Sequence, residues 1–268
     1  MLHKSGLQIC IHVGGDKALD TALDAIEAAL KENPRPDHRH RLEHVVVSPK
    51  PGSLERIKKL GVVISVQPSF IYHSGDIWYR LFGEERLQMS VPVKTAVDMG
   101  IPVAFGADYP CTVDTRPQMT LWSAVVRQTS SGRVVGGQES VDIQQALRLH
   151  TMGSAYAAHE ENVKGSIEVG KHADLVVWSD DMFSVPTDKI RDLRAELTIV
   201  GGQVIHQFNQ TNLPVVPGSQ YLPTPYDDDF LFHIRLQPME SQSISAPRLA
   251  MIQAVVRPNP TYKNSTNI

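Results

Sequence analysis

Val103-Ala-Phe-Gly-Ala-Asp108 is a short apolar run closed by a carboxylate, with Tyr109-Pro110 directly behind it. An apolar run of this length between turn residues reads as a buried strand. A carboxylate at the end of such a strand is costly to bury unless it is paired or binds a metal. Two other runs have a similar ending. Leu7-Gln-Ile-Cys-Ile-His12 closes on a histidine and is followed by Val-Gly-Gly-Asp16. Arg41-Leu-Glu-His44 carries its histidine inside a run that continues apolar through Val47. Parallel strands with helical crossovers collect chemistry at the carboxyl ends of the strands. His12, His44 and Asp108 are therefore candidate ligands of a divalent transition metal, with Asp108 also a candidate catalytic acid and base. Taken singly, each has a plainer reading: a hydrogen-bonded histidine, or a turn or cap aspartate.

Working outward, strands and helices alternate. The strand at 7–12 precedes a helix over 16–31, where Ala18, Leu19, Ala22, Leu23, Ile26 and Leu30 recur at helical spacing. A strand over 40–47, a short helix over 54–60 started by Ser53, and a strand over 62–66 ending in Gln67-Pro68 follow. This β-α-β-α-β order predicts a parallel sheet covered by helices. Residues 69–90 break the rhythm. Phe70, Tyr72, His73, Trp78 and Tyr79 cluster there, in a segment that also holds Gly75 and Gly83. The segment reads either as a packed surface loop with a short helix or as an aromatic pocket wall, with Gln67, Tyr72 and Trp78 as candidate substrate-binding residues. Helices are expected over 92–99, 118–128 and 142–159. After about Val163 the chain turns to short strands, 175–178 and a 197–200/204–206 hairpin about Gly201-Gly202. Beyond Gln207 it is rich in Pro, Ser and Asn, with Phe230–Leu236 as one candidate strand.

The formal charge of −3 spread over 268 residues shows no basic stripe, which argues against nucleic-acid binding. No apolar run approaches the about 20 residues of a membrane span. Two cysteines, Cys10 and Cys111, make no disulfide framework, and with no secretory core at the start they point to a cytoplasmic setting.

Five segments in order, His12-Val-Gly-Gly-Asp16, Arg41-Leu-Glu-His44, Ser65-Val-Gln-Pro68, Phe105-Gly-Ala-Asp108 and Lys164-Gly-Ser-Ile-Glu-Val-Gly-Lys-His-Ala-Asp-Leu-Val-Val177, resemble the carboxyl-terminal portion of the metal-dependent amidohydrolases. The nearest group is amidohydrolase family 3, the N-substituted formamide deformylase-like enzymes, and the resemblance covers about residues 7–207. It implies a (β/α)8 barrel, of which this chain supplies about the second four strand–helix units over 1–162. It implies part of a composite β-sandwich over 163–207, and leaves 208–268 as a weakly structured tail. His12 resembles the metal ligand after the fifth strand, His44 the ligand on the sixth, and Asp108 the acid after the eighth. Gln67 falls at the end of the seventh. Arg41 and Glu43 read as a salt bridge or as support for the His44 strand. The resemblance implies a divalent metal, zinc by default, and a small-molecule amide or formamide substrate cleaved at a carbon–nitrogen bond. Two elements of the family have no counterpart. These are the first-strand His-x-His pair and the fourth-strand ligand, and the pair spaced His38-Arg-His40 lies in the wrong place. The alternatives are a truncated inactive remnant, or a half-barrel subunit that pairs with a second copy or with a missing N-terminal half. A lone half-barrel is expected to expose both sheet edges and one apolar sheet face.

Overall fold

The computed structural model describes residues 1–208 apart from residue 113. The tail beyond 208, including the candidate strand Phe230–Leu236, lies outside the described residues. The alternation read from the sequence is present. Strand β1 (Cys10–Val13) is followed by α1 (Asp16–Glu32), β2 (Arg41–His44), α2 (Ser53–Leu60) and β3 (Val63–Val66). Next come α3 (Ser69–Phe82), α4 (Val93–Asp98), β4 (Val103–Phe105) and α5 (Pro117–Val126). The four strands pair in sequence order, all parallel. The register sets Val13 beside His44, Glu43 beside Ser65 and Val66 beside Phe105.

Period-2 alternation separates the two faces of this sheet. Val13, Leu42, Ile64, Val66, Val103 and Phe105 point into one core with Leu19, Leu23 and Ile26 of α1 and Leu54 and Ile57 of α2. Each such aliphatic side chain contributes about 1.5–3 kcal/mol by leaving water. Gly52 at φ 85° and Gly61 at φ 67° bound α2, and the Gly61 N–H caps Ile57 and Lys58. One cap differs from expectation. Ser53 is the first residue of α2 rather than its cap, and Asp142 caps the helix that follows it, accepting from the Gln145 N–H at 2.7 Å.

Helix expected over 142–159 is broken. It runs as α6 (Ile143–Arg148), a π-helical turn (Leu149–Gly153) and α7 (Ser154–Ala157). The break lets this segment fold against the sheet. A Cβ on Gly153 would come 2.3 Å from the Val103 carbonyl oxygen, and the Ser154 hydroxyl donates to the Phe105 carbonyl at 2.9 Å. The second face of the sheet is correspondingly not bare. Val63 and Ala104 pack under Ala157 and Tyr156. The other positions of that face by alternation, Cys10, His12, Arg41, Glu43 and Ser65, are polar. The expected open apolar face is therefore absent, because the chain covers its small apolar part and leaves only polar positions open.

A separate three-stranded antiparallel sheet follows, β5 (Leu175–Trp178), β6 (Ala195–Val200) and β7 (Gln203–Gln207), with Gly201 and Gly202 at positive φ in the β6–β7 turn. Among the described residues no helix is long and apolar enough to cross a membrane.

Candidate active site

Strand β1 delivers His12 to the polar face of the sheet, on the side of Cys10. His44 pairs in register with Val13, a core-facing residue, so plain alternation would bury its ring among the helices. The backbone prevents this. His44 sits at φ 83° and Val45 at φ 46°, values that cost energy for residues with a Cβ. The kink carries the His44 ring back beside His12. The two ring centroids are 4.6 Å apart at an interplanar angle of 66°. Gln67, at the end of β3 and buried, accepts at its Oε1 from Nδ1 of His44 over 2.7 Å. Phe70 in the first turn of α3 stacks on the other side of His44, with centroids 5.6 Å apart and planes 19° from parallel.

Asp108 is half-buried in the turn after β4, at φ 56°, and its carbonyl accepts from the Cys111 N–H at 2.7 Å. The structure brings together His12, His44 and Gln67. It does not add Asp108 to them as a third donor, since among the described residues no three His, Cys, Asp or Glu side chains converge as a metal site. Two imidazoles side by side are a partial donor set for a divalent metal.

The aromatic residues divide by helix face. Trp78 touches Phe70 edge-on, with centroids 6.4 Å apart, and so belongs to the His44 side. Tyr72, two residues from Phe70 and so on the opposite face of α3, packs edge-on against Trp122 of α5 instead. Phe70, one of the aromatics grouped from the sequence but not among the named substrate-binding candidates, is the ring that stacks on His44. Its signal was its place three residues after Gln67, in the first helical turn. His73 also lies on α3. Burial lowers its pKa against the pull of Asp114, and its Nε2 has no partner among the described residues.

On the sheet face below His12, Arg41 Nε donates to Glu43 Oε1 at 2.8 Å, an i, i+2 pair that strand geometry puts on one side. Burial raises the Cys10 thiol pKa beside this pair, with Arg41 opposing and Glu43 reinforcing. Both cysteines are unpaired.

The chain belongs to a known family. The amidohydrolase family model matches residues 1–206, and the chain is a member of that family. It is 32% identical over 200 residues to the N-substituted formamide deformylase of Arthrobacter pascens, covering 74% of this chain and 36% of that protein. It is 29% identical over 208 residues to the putative amidohydrolase YtcJ of Bacillus subtilis, covering 76% of this chain and 38% of that protein. An uncharacterised metal-dependent hydrolase from Pyrococcus horikoshii superposes with a TM-score of 0.57 at 30% identity, over 68% of this chain and 35% of that one. The chain thus spans a little over a third of the length of the curated relatives it matches.

Proposed function

We propose that this chain carries part of a metal-dependent hydrolase centre that cleaves non-peptide carbon–nitrogen bonds of amide or formamide type. The observation that carries the reading is the His12–His44 pair, held at the ends of adjacent parallel strands by a strained backbone at His44. The names of the relatives in Arthrobacter and Pyrococcus support the reaction and the metal. The pair fits a divalent metal, zinc by default, as two of its donors, and Asp108 is the acid nearest the family's pattern. When bound, the metal would supply Lewis-acid polarisation of a carbonyl and a more acidic water. The chain's own residues do the rest. Asp108 takes the proton of the attacking water and returns it to the leaving nitrogen. Phe70 and Trp78 form an apolar wall beside His44, suited to an apolar or aromatic substituent. Gln67, a candidate substrate contact, also hydrogen-bonds His44, and Tyr72, another, packs on Trp122.

In this reading the four parallel strands are an arc of a (β/α)8 barrel over 1–162, and β5–β7 are part of a sandwich over 163–207. A complete barrel has eight strand–helix units. The two unpaired cysteines support a reducing, cytoplasmic setting.

The test is release of formate from N-substituted formamides by the full chain supplied with zinc. Turnover abolished by Asp108→Asn, with an unchanged circular dichroism spectrum, supports the reading. A second reading, a catalytically silent chain, is favoured by the lack of a three-donor cluster among the described residues. It predicts folded protein with no formate release in any variant.

A further inference from the structure

We infer that Gln67 is a positioning residue that fixes the proton of His44 on Nδ1 and leaves Nε2 as the ring's electron-pair donor. This rests on the proposed reading of His12 and His44 as metal donors and concerns how one of them is prepared. The Gln67 oxygen lies 2.7 Å from His44 Nδ1. An amide oxygen only accepts, so Nδ1 must carry the hydrogen, and a neutral imidazole then has its lone pair on Nε2. An unconstrained imidazole in water keeps its proton mainly on Nε2, so this arrangement works against the ring's own preference.

Three neighbours hold the ring in place. Phe70 lies nearly parallel to it, His12 stands edge-on to it, and the Gln67 amide closes the third side. The amide is held in turn. Gln67 is 4% exposed, and its Nε2 lies 3.5 Å from where a Cβ on Gly106 would stand. Gly106 is itself tied to β3 by its N–H, which donates to the Val66 carbonyl at 3.0 Å. The amide therefore lies between the His44 ring and Gly106, the first residue of the loop that carries Asp108. Turning the amide over would put its NH2 against Nδ1. The proton would then move to Nε2, and the ring would have no lone pair to offer.

The test uses the full chain, free of metal, labelled with 15N-histidine, at a pH above the imidazole range. Long-range 1H–15N correlation spectra separate the two tautomers, and the His44 signals are assigned by their loss in His44→Gln. The wild type should show His44 protonated on Nδ1. Gln67→Leu should shift it to Nε2, and Gln67→Glu, whose carboxylate also only accepts, should keep it on Nδ1. Zinc titration of the same proteins should show affinity down by about 10–100-fold in Gln67→Leu and retained in Gln67→Glu. A wild-type His44 protonated on Nε2 overturns the inference, as does an unchanged tautomer in a folded Gln67→Leu. If the tautomer behaves as stated but no variant binds zinc, the positioning role holds and the metal reading fails.

Discussion

His38 and His40 share the spacing of a metal-binding pair, yet every nitrogen of both rings is already engaged. The Ile9 N–H donates to His40 Nδ1 at 3.1 Å, which places the His40 proton on Nε2, 2.9 Å from His3 Nδ1. His3 then donates from Nε2 to the Asn33 carbonyl at 2.7 Å. His38 accepts at Nδ1 from the His40 N–H at 2.9 Å and donates from Nε2 to the Leu60 carbonyl at 2.8 Å. All three rings are buried, and the His38 and His40 acceptor nitrogens keep their hydrogen bonds only while those two rings are neutral. Burial, with His38, His3 and Arg35 adding to it, pushes the His40 pKa down from 6.5 to about 3. Burial lowers His38 as well, against the Leu60 hydrogen bond and the Asp37 charge, with Arg35 and His3 reinforcing burial. Because the fold holds the neutral rings, the unfolded chain takes up protons at higher pH than the folded one. The stability they contribute is complete above about pH 6.5 and falls as the pH drops toward about 3. Urea midpoints should therefore decline below about pH 6.5, and His40→Gln should flatten that decline; an equal slope in the variant would contradict the assignment. Arg127 belongs to the same scale. It is fully buried, donating from Nε to the Val135 carbonyl at 2.9 Å and from Nη1 to the Val91 carbonyl at 3.2 Å, with Nη2 on Ser90. Arg127→Met leaves the Val135 and Ser90 carbonyls without this donor, while Val91 keeps the Val93 N–H at 2.9 Å, and should cost about 3–5 kcal/mol in denaturant unfolding.

At the scale of elements, what the sequence revealed follows from period. Helix α1 was legible because its apolar residues recur every three to four positions and α2 because Ser53 opens it and Gly61 follows it. Helix α3 was obscured by Gly75, which sequence reading takes as a breaker. In the fold that glycine is buried where a Cβ would meet Thr129 Cγ2 at 2.7 Å, so its lack of a side chain serves packing. The same helix decides which aromatic ring reaches His44. Which aromatic residue faces His44 depends on the phase of α3, and that phase is invisible until the helix and its start are known. The π-helical turn at Leu149–Gly153 carries no sequence signature at all; it is imposed by the approach of Gly153 to β4. Gly153→Ala would set a Cβ 2.3 Å from the Val103 carbonyl oxygen, which is backbone and cannot step aside. We expect at least about 2 kcal/mol of destabilisation by overpacking, read as a lowered thermal midpoint. An unchanged midpoint would show that the turn can reopen.

For the whole molecule, a parallel sheet and a smaller antiparallel one were legible because hydrophobic runs and turn residues mark strands. The His12–His44 pair was legible because both histidines close successive strand units. Its geometry was not, because it depends on left-handed backbone at His44 and on an amide from the next strand. The fate of the second sheet face was also hidden, since Ala157 and Tyr156 return to it from a segment that reads as ordinary helix. The central claim is that two strands bring two imidazoles together to hold a metal. It is tested most directly by expressing the chain with zinc and measuring bound metal per folded protomer by elemental analysis, alongside the His12→Ala/His44→Ala double variant. The account predicts about one metal per wild-type chain and none in the variant. A folded wild-type protein without stoichiometric metal, or a variant that keeps it, would contradict the account.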